Sequence, residues 1–280
     1  MTYNSTNKIG FMQGRLSPII NNRIQAFPVA NWENELTIAS QNGFQIIEWT
    51  IDYWKYSSNP ILAQDAELLS NKLENHGIKI SGVTCDHLMH FPFWRGDGAI
   101  VDAIVDDFVN LLKKLICLNV GYVVIPLVDN GTVEDAAQED FLVQKIRSII
   151  ESNDLENINI LFESDKSPEA VIEFMEKFEG CQQIGINYDT GNSAALGYDL
   201  VSEFEFYGKY IKNIHLKDRK LGGPTVRLGC GEVDFSKLKK MIDVIEYEGY
   251  LIFQTARALD GRHLEELIIN KDFVFELMAK

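Results

Sequence analysis

The chain has 280 residues, of which 46% are hydrophobic and 24% charged, and its formal net charge is −15. These values are typical of a folded globular protein, and so acidic a field repels nucleic acid unless a local basic patch overrides it. The sequence contains no strong Lys/Arg cluster and no apolar run of roughly 18 residues, so we expect neither a nucleic-acid partner nor a membrane span.

The N-terminus and the cysteines predict a cytoplasmic protein. Residues 1–7 are polar and lead directly into a strand-like segment, which differs from the apolar core of a signal peptide. Cys85, Cys117, Cys181 and Cys230 are far apart in the sequence and form no C-x-x-C pair. Reduced thiols are therefore the expected state.

Eight short segments along the chain have the composition of buried parallel strands. They are continuously apolar and rich in β-branched and aromatic residues, as strands covered on both faces are. The predicted strands are residues 8–12, 44–49, 78–85, 122–126, 158–163, 184–189, 211–216 and 250–254.

Segments with helical spacing lie between these strands. Residues 101–119 place six apolar side chains on one side, and Ser167 followed by Pro168 predicts an N-cap and a first helical residue. Asp234 is a second expected cap, before the amphipathic segment 235–245. Glycines at the expected ends of helices precede several strands: Gly43, Gly77, Gly121 and Gly249.

The alternation of eight strands with helices predicts one α/β domain over residues 1–280, a single (β/α)8 TIM barrel. No linker, composition shift or low-complexity segment marks a domain boundary. A doubly wound open sheet is the alternative, because the order of strands is not visible in a sequence.

Each of the last four predicted strands ends in a side chain that can bind a metal: Glu163, Asp189, His215 and Gln254. In a barrel these ends meet at the carboxyl face, where barrel enzymes carry out their chemistry. Carboxylate, imidazole and carbonyl ligands together suit one divalent ion, such as Mn²⁺, Co²⁺, Zn²⁺ or Mg²⁺. The competing interpretation is that such acids are helix caps or ion-pair partners.

Polar residues after the other strands are candidates for binding a substrate. Arg15 follows strand one, Glu48 and Trp49 end strand two, and His87 follows strand three. An aromatic group nearby either forms a wall for a sugar or packs the loop over the barrel: Phe91, Phe93 and Trp94. Three arginines follow strands seven and eight, where barrels commonly bind phosphate: Arg219, Arg227 and Arg257.

Several short motifs together carry a resemblance to a known family. They are GFQIIE at 43–48, FE at 162–163, NYDTG at 187–191, HLKD at 215–218, LGCG at 228–231 before Asp234, and the strand end at Gln254. With these motifs the chain resembles the xylose isomerase-like TIM barrels over essentially its full length. This sugar phosphate isomerase/epimerase superfamily also contains ketose 3-epimerases, inosose dehydratases and the apurinic endonucleases of family 2.

The resemblance implies a metal site and roles for its neighbours. Relatives hold their metal with Glu, Asp, His and a second Glu, which correspond here to Glu163, Asp189, His215 and Gln254. Gln254 still offers a carbonyl oxygen but cannot exchange a proton, so the two-base mechanism of many relatives is compromised. A proton shuttle by Glu163 alone remains open.

Four further residues are assigned from the same resemblance. His87 or Lys217 is expected to help Glu163 in catalysis. Asn192 occupies the stretch where relatives often have a histidine that holds a substrate oxygen, and it could hydrogen-bond a hydroxyl. Asp218, in the H-x-K-D motif, is expected at the substrate as well.

The function implied is a metal-dependent isomerase or epimerase of a small sugar or sugar phosphate, which removes a proton next to a carbonyl and passes through an enediolate. A dehydratase of a cyclitol or keto acid and a non-catalytic or vestigial sugar-binding barrel are the alternatives. An apurinic endonuclease needs a histidine-rich multi-metal cluster, which five histidines and a net charge of −15 disfavour. Because relatives commonly form dimers or tetramers, the resemblance also implies a homo-oligomer.

Overall fold

The computed structural model describes residues 8–153 and 155–279. The polar N-terminal stretch 1–7, interpreted above as different from a signal peptide, lies outside the described residues. All four cysteines are free, as their spacing predicts. In the part of the chain that the structure describes, no helix combines the length and the apolar character needed to cross a bilayer.

The described residues form ten strands, and eight of these close into one parallel barrel. The strands are β1 (Ile9–Met12), β2 (Ile46–Thr50), β3 (Lys79–Thr84), β4 (Tyr122–Leu127), β5 (Asn159–Ser164), β6 (Ile184–Asp189), β7 (Ile211–Leu216), β8 (Asp218–Arg219), β9 (Thr225–Val226) and β10 (Tyr250–Phe253). β1 pairs with both β2 and β10, which closes the barrel, and β8 and β9 form a separate antiparallel hairpin. The (β/α)8 prediction is confirmed, and the open sheet is excluded.

Within residues 8–153 and 155–279, ten α-helices surround or follow the strands. They are α1 (Trp32–Gln41), α2 (Pro60–Ala63), α3 (Ala66–His76), α4 (Gly98–Cys117), α5 (Ala136–Ser152), α6 (Pro168–Glu176), α7 (Thr190–Leu196), α8 (Leu200–Tyr207), α9 (Phe235–Val244) and α10 (His263–Met278). The expected caps are confirmed, since Ser167 accepts a hydrogen bond from the N–H of Ala170, and Asp234 accepts one from Lys237.

Two of the four helix-ending glycines predicted from the sequence are wrong. Gly43 and Gly77 do have positive φ, but the left-handed residues after α4 and α9 are Asn119 (φ 54°) and Glu246 (φ 50°) instead of the expected Gly121 and Gly249. Glycine is required at position 249 for a different reason: a Cβ there would lie 2.3 Å from the backbone oxygen of Lys212.

Side chains of the strands alternate between an apolar shell and the barrel interior, because successive residues of a strand point to opposite faces. Phe162, Ile186 and Ile214 belong to the large core between the strands and the helices. The interior contains two small apolar clusters, one of Met12, Ile46 and Ile252 and one of Tyr122, Val124 and Leu161. Nearer the carboxyl ends of the strands, the buried side chains that point into the barrel interior are polar.

Candidate active site

The carboxyl ends of β5, β6 and β7 bring three ionisable side chains together. Glu163, Asp189 and His215 are buried, and each offers one possible ligand atom within 4.8 Å of the others. Each strand places its residue on the inner face because Leu161 and Glu163, Asn187 and Asp189, and Asn213 and His215 are two positions apart. Three of the four side chains expected to converge are therefore together in the structure.

Both carboxylates of this group are already hydrogen-bonded. Glu163 accepts from Asn187 Nδ2 (2.8 Å) and from Asn192 Nδ2 (3.0 Å) through different oxygens. Asp189 caps α7 by accepting from the N–H of Asn192 (2.8 Å), so the helix-cap interpretation of this residue holds as well. Since a carboxylate has about four acceptor positions, these bonds leave room for a metal.

Gln254 follows β10, and Lys217 connects it to this group of side chains. Its Oε1 accepts a hydrogen bond from Lys217 Nζ (3.3 Å), which also donates to Asp189 Oδ2 and to Asn192 Oδ1, both at 3.1 Å. The ammonium group thus lies between the strand-six carboxylate and the carbonyl oxygen of Gln254. It supplies a positive charge that a bound metal ion would have to tolerate.

His215 lies between two carboxylates. Its Nε2 is 2.8 Å from Glu48 Oε1, and its Nδ1 is 3.3 Å from Glu163 Oε2. Burial disfavours the imidazolium, but the two carboxylates outweigh burial and raise the pKa of His215 to about 10. The position of Asn187 Nδ2, 3.0 Å from Nδ1, opposes this charged form, because a proton on Nδ1 would place two N–H groups face to face; the hydrogen-bond geometry favours the neutral ring with its hydrogen on Nε2.

Glu48 is fully buried beneath His215. Burial alone would raise its pKa, yet the pKa is lowered, because the His215 charge and hydrogen bonds to the carboxylate stabilise the ionised form. Thr84 and Tyr122 donate their hydroxyls to Glu48, the latter over 2.6 Å.

The donor set fits a divalent metal ion. Two carboxylates and one imidazole nitrogen are buried in mutual reach, and Gln254 adds a carbonyl oxygen across the lysine. The second nitrogen of His215 contacts Glu48, which is the carboxylate–histidine arrangement that commonly supports a metal-ligating histidine. Such a mixed N/O set does not select one ion among Mn²⁺, Co²⁺, Zn²⁺ and Mg²⁺.

A cavity of about 250 Å³ opens above these residues at the mouth of the barrel. The predicted site residues that line it are Arg15, Glu163, Asn192, Lys217 and Gln254. Arg15 is fixed by hydrogen bonds to the backbone oxygens of Thr255 and Ile24 and to Gln25 Oε1. Arg219 reaches the rim, where it donates to Asn192 Oδ1 (3.1 Å).

Three predicted residues lie away from the cavity lining. His87 is buried, its ring packs 4.9 Å from that of Tyr56, and burial lowers its pKa to about 4. Trp49 is fully buried on the outer face of β2 and donates Nε1–H to Asn59. Glu48 lies inside the barrel below His215, where hydrogen-bond donors of the chain surround it.

Two further predictions concern Asp218, after β7, and the aromatic group in the loop after β3. Asp218 is buried and accepts the N–H groups of Gly231 and Val233, so it holds the loop instead of lining the cavity. Phe93 and Trp94 are buried, whereas Phe91 is exposed, and none of the three lines the cavity. The structure thus favours packing over a sugar-facing wall for this group.

Arg227 and Arg257 lie beside a second cavity. That cavity measures about 630 Å³ and shares Arg23, Ile24 and Thr225 with the first. Arg227 makes a two-bond ion pair with Glu266, and Arg257 donates to the backbone oxygen of Ser17. Both guanidinium groups therefore have partners within the chain.

The structure also reveals site residues that the sequence analysis did not assign. Asp86 and His90 line the cavity from the loop after β3, and Asp52 and Tyr53 line it from the loop after β2. Burial, followed by the charges of Asp52 and Glu163, raises the pKa of Asp86 to about 8. Position after a strand end is a signal that could have identified Asp52 and Asp86, since it is the same signal that identified Glu163.

A model of the xylose isomerase-like TIM barrel family matches residues 36–269, so the chain belongs to that family. The resemblance inferred from the motifs is confirmed. Comparison with curated proteins gave no match.

Solved structures similar to this chain share its whole fold at low identity. D-psicose 3-epimerase with D-tagatose from Clostridium cellulolyticum H10 is 14% identical, with 97% of this chain and 99% of that chain covered and a TM-score of 0.73. The IOLI protein with a bound zinc atom is 16% identical, with 97% and 98% covered and a TM-score of 0.72. A xylose isomerase-like TIM barrel protein from Mycobacterium smegmatis in complex with magnesium is 14% identical, with 98% of each chain covered and a TM-score of 0.73.

Proposed function

We propose that the protein is a divalent-metal-dependent isomerase or epimerase of a small sugar or sugar phosphate. The observation that carries the proposal is the convergence of Glu163, Asp189 and His215 at the mouth of the barrel, under a cavity of sugar size. With Gln254, these residues would hold one ion. When bound, a divalent ion supplies a Lewis acid for the substrate carbonyl.

Glu163 is the proposed base. It is the one of the two strand-end carboxylates that lines the cavity, and Asn187 and Asn192 fix its two oxygens. It takes a proton from the carbon next to the carbonyl. The electron pair of the broken C–H bond forms the carbon–carbon double bond of the enediolate, and the π pair of the carbonyl moves to its oxygen. The proton then returns from Glu163 to a carbon of the substrate.

A single base restricts the stereochemistry. Glu163 can return the proton to the same face of the enediolate, which is what an aldose–ketose isomerisation requires. Inversion at one carbon needs a proton donor on the opposite face, and Gln254 cannot exchange a proton. Lys217 Nζ, 3.3 Å from Gln254 Oε1, is the proposed proton donor if the reaction is an epimerisation.

The remaining cavity residues are proposed to bind and orient the substrate. Arg15 and Arg219 are positive groups with fixed guanidinium planes, and Asn192 offers an amide between Glu163 and Lys217. Arg227 and Arg257 lie farther out, beside the second cavity, and would meet only a larger or phosphorylated substrate. His87, Trp49 and Asp218 support the loops that carry these groups.

The solved relatives support this proposal without fixing the substrate. One of them is an epimerase with a ketose bound, and two contain zinc or magnesium. The neutral Gln254 and the ammonium group near Asp189 favour a second candidate, a sugar-binding barrel that has lost its catalytic metal. Dehydration of a cyclitol or keto acid would begin with the same removal of a proton by Glu163.

The first experiment is elemental analysis of the purified protein with a thermal-shift titration of Mn²⁺, Co²⁺, Mg²⁺ and Zn²⁺. About one metal per chain and stabilisation by added ion support the site, since a ligand that binds only the folded state raises its stability. The loaded protein is then incubated with ketoses and aldoses in D₂O. Deuterium in a recovered sugar supports proton abstraction.

The outcomes separate the candidates. Deuterium at a carbon whose configuration is inverted indicates an epimerase. Deuterium in a sugar whose carbonyl group has moved to another carbon indicates an isomerase. Loss of water from a cyclitol or keto acid, detected by mass spectrometry, indicates a dehydratase. A protein that takes up no metal but is stabilised by sugars would contradict the proposal and support the binding barrel.

A further inference from the structure

Four buried side chains inside the barrel form a closed ring of hydrogen bonds below the proposed metal ligands. Glu48 Oε1 contacts His215 Nε2 (2.8 Å), and His215 Nδ1 contacts Asn187 Nδ2 (3.0 Å). Asn187 Oδ1 accepts from Asn213 Nδ2 (2.7 Å), which also donates to Glu48 Oε2 (2.9 Å). The ring connects β2, β6 and β7, and all its members have at most 2% of their surface exposed.

The carboxylate of Glu48 determines which atom donates and which accepts in every hydrogen bond of this ring. An ionised carboxylate only accepts hydrogen bonds, so the Asn213 amide must turn its NH2 group towards Glu48. The same NH2 group meets Asn187 Oδ1, and the Asn187 NH2 group is therefore directed at His215 Nδ1 and Glu163 Oε2. At the other end of the ring, the carboxylate requires a hydrogen on His215 Nε2.

An unpaired atom shows that this direction has a cost. Asn213 Oδ1 is buried and has no hydrogen-bond partner among the described residues. An unsatisfied buried acceptor of this kind typically costs about 1–3 kcal/mol. Turning the amide around would not relieve the cost, because its oxygen would then face the oxygens of Glu48 and Asn187.

We propose that Glu48 is a positioning residue for His215, which it holds with the hydrogen on Nε2, so that a metal ion can take the Nδ1 lone pair in place of the Asn187 NH2 group, which keeps its bond to Glu163 Oε2. This inference rests on the proposed metal-dependent function and gives Glu48 a different role from the substrate contact expected from the sequence. Substrate does not reach Glu48, which is fully buried among Thr84, Tyr122, Asn213 and His215.

The chain contains a matched control for this residue. Glu203 is also buried, and its carboxylate accepts hydroxyl hydrogen bonds from Ser193, Tyr188 and Tyr207, the last two over 2.7 Å. It lies on the other side of β6, on α8, and no histidine contacts it among the bonds described. Glu48→Gln and Glu203→Gln therefore remove the same buried charge, but only the first reverses a bond to His215.

The experiment measures Co²⁺ affinity and the visible spectrum of the Co²⁺-loaded protein. In Glu48→Gln the new NH2 group can donate to His215 Nε2, which favours a proton on Nδ1. We expect a 10- to 100-fold weaker affinity and an altered Co²⁺ spectrum, as is typical when the partner of a ligating histidine is removed. Glu203→Gln is expected to keep the parental affinity within about twofold, although it loses thermal stability. Glu48→Asp, which keeps an acceptor-only group, is expected to recover part of the affinity.

The outcomes distinguish this inference from the proposed function. Equal Co²⁺ affinity and spectrum in parent and Glu48→Gln would overturn the role of Glu48 while leaving the metal site intact, whereas a parent that binds no divalent ion would overturn both. If Glu48→Gln does not fold, Asn213→Ala takes its place, because it breaks the ring and keeps Glu48. A several-fold loss of affinity is then expected, and an unchanged affinity would overturn the ring.

Discussion

The β5–β7 side of the barrel mouth and the β10–β1 side differ in charge. Glu163 and Asp189 place two carboxylates on the first side, with a ligand atom of His215 within 4.8 Å of both. The second side carries the neutral Gln254 and the guanidinium of Arg15, which donates to the backbone just after β10. Lys217 joins the two sides, since it contacts Asp189 and Gln254.

This difference indicates a division of work. A site with a carboxylate on each side can exchange protons at both faces of a planar intermediate. Of these two sides, only the first carries carboxylates at its strand ends, so the proposed proton transfer belongs to Glu163 and the opposite side binds and orients the substrate. If the two sides are as unequal as the structure indicates, substitutions on the first should reduce the reaction more than substitutions on the second.

The largest effect is expected for Glu163→Gln. The variant keeps the shape of the side chain but cannot accept a proton, and a positioned general base typically contributes 10²–10⁴-fold. We expect exchange of substrate hydrogen in D₂O to fall by at least that range, because Glu163 is also a proposed metal ligand. Glu139→Gln, which removes a carboxylate that pairs with lysines on the outer surface, is the control and should keep parental exchange.

Unchanged exchange in Glu163→Gln would mean that Glu163 is not the base, and would contradict the proposed difference in function between the two sides. Metal content has to be measured in the same samples. Loss of exchange with retained metal assigns the effect to proton transfer, whereas loss of both assigns it to the metal site.

Lys217→Met tests the group that joins the two sides. The substitution removes the ammonium but keeps much of the aliphatic chain, and we expect turnover to fall about a hundredfold if Lys217 assists proton transfer. Metal affinity should not weaken, because a positive charge 3.1 Å from Asp189 Oδ2 opposes a cation there. Lys220→Met, on the exposed part of the same loop, is the control. Weaker metal binding in Lys217→Met would contradict this account.

Gln254→Glu would make the two sides more alike. A second carboxylate across the mouth adds negative charge to the ligand set, and ligand charge is a main determinant of affinity for hard cations. We expect the dissociation constant for Mn²⁺ to fall about tenfold, which corresponds to about 1.4 kcal/mol. Gln182→Glu, before β6 at the opposite end of the barrel, adds the same charge as a control. A weaker site in Gln254→Glu would mean that Gln254 is not a ligand.

The sequence predicted the fold and the acidic side well, because both depend on local patterns. Continuous apolar runs gave the eight strands, and their last residues gave Glu163, Asp189 and His215. The ring below them has a recognisable signal too, since Asn187 and Asn213 stand two positions before Asp189 and His215 and therefore share their face.

Side-chain direction at the starts of the loops could not be predicted. His87 and Asp86 are adjacent, yet Asp86 lines the cavity and His87 packs against Tyr56, because the short helical turn after β3 separates them by about a third of a turn. The proposed role of Glu48 could not be predicted either, since the sequence does not indicate which strand across the barrel supplies the partners of a strand-end acid. Those partners depend on the closure and register of the barrel.

The smallest effect is expected for Asp86→Asn, which tests whether the acidic side extends to the loop after β3. In the folded chain the pKa of Asp86 is about 8, raised by burial, Asp52 and Glu163 from an ordinary value of 3.8. The folded state thus binds this proton more tightly than the unfolded state, and Asp86 lowers stability progressively as the pH rises from about 4 to about 8. Asparagine does not titrate. With metal removed by chelator, the melting temperature of Asp86→Asn relative to the parent should therefore be higher at pH 8 than at pH 5. Asp102→Asn, on the exposed face of α4, controls for loss of a surface charge. A difference that does not change with pH would mean that neither burial nor the charges of Asp52 and Glu163 raise the pKa of Asp86, and would confine the acidic side to β5–β7.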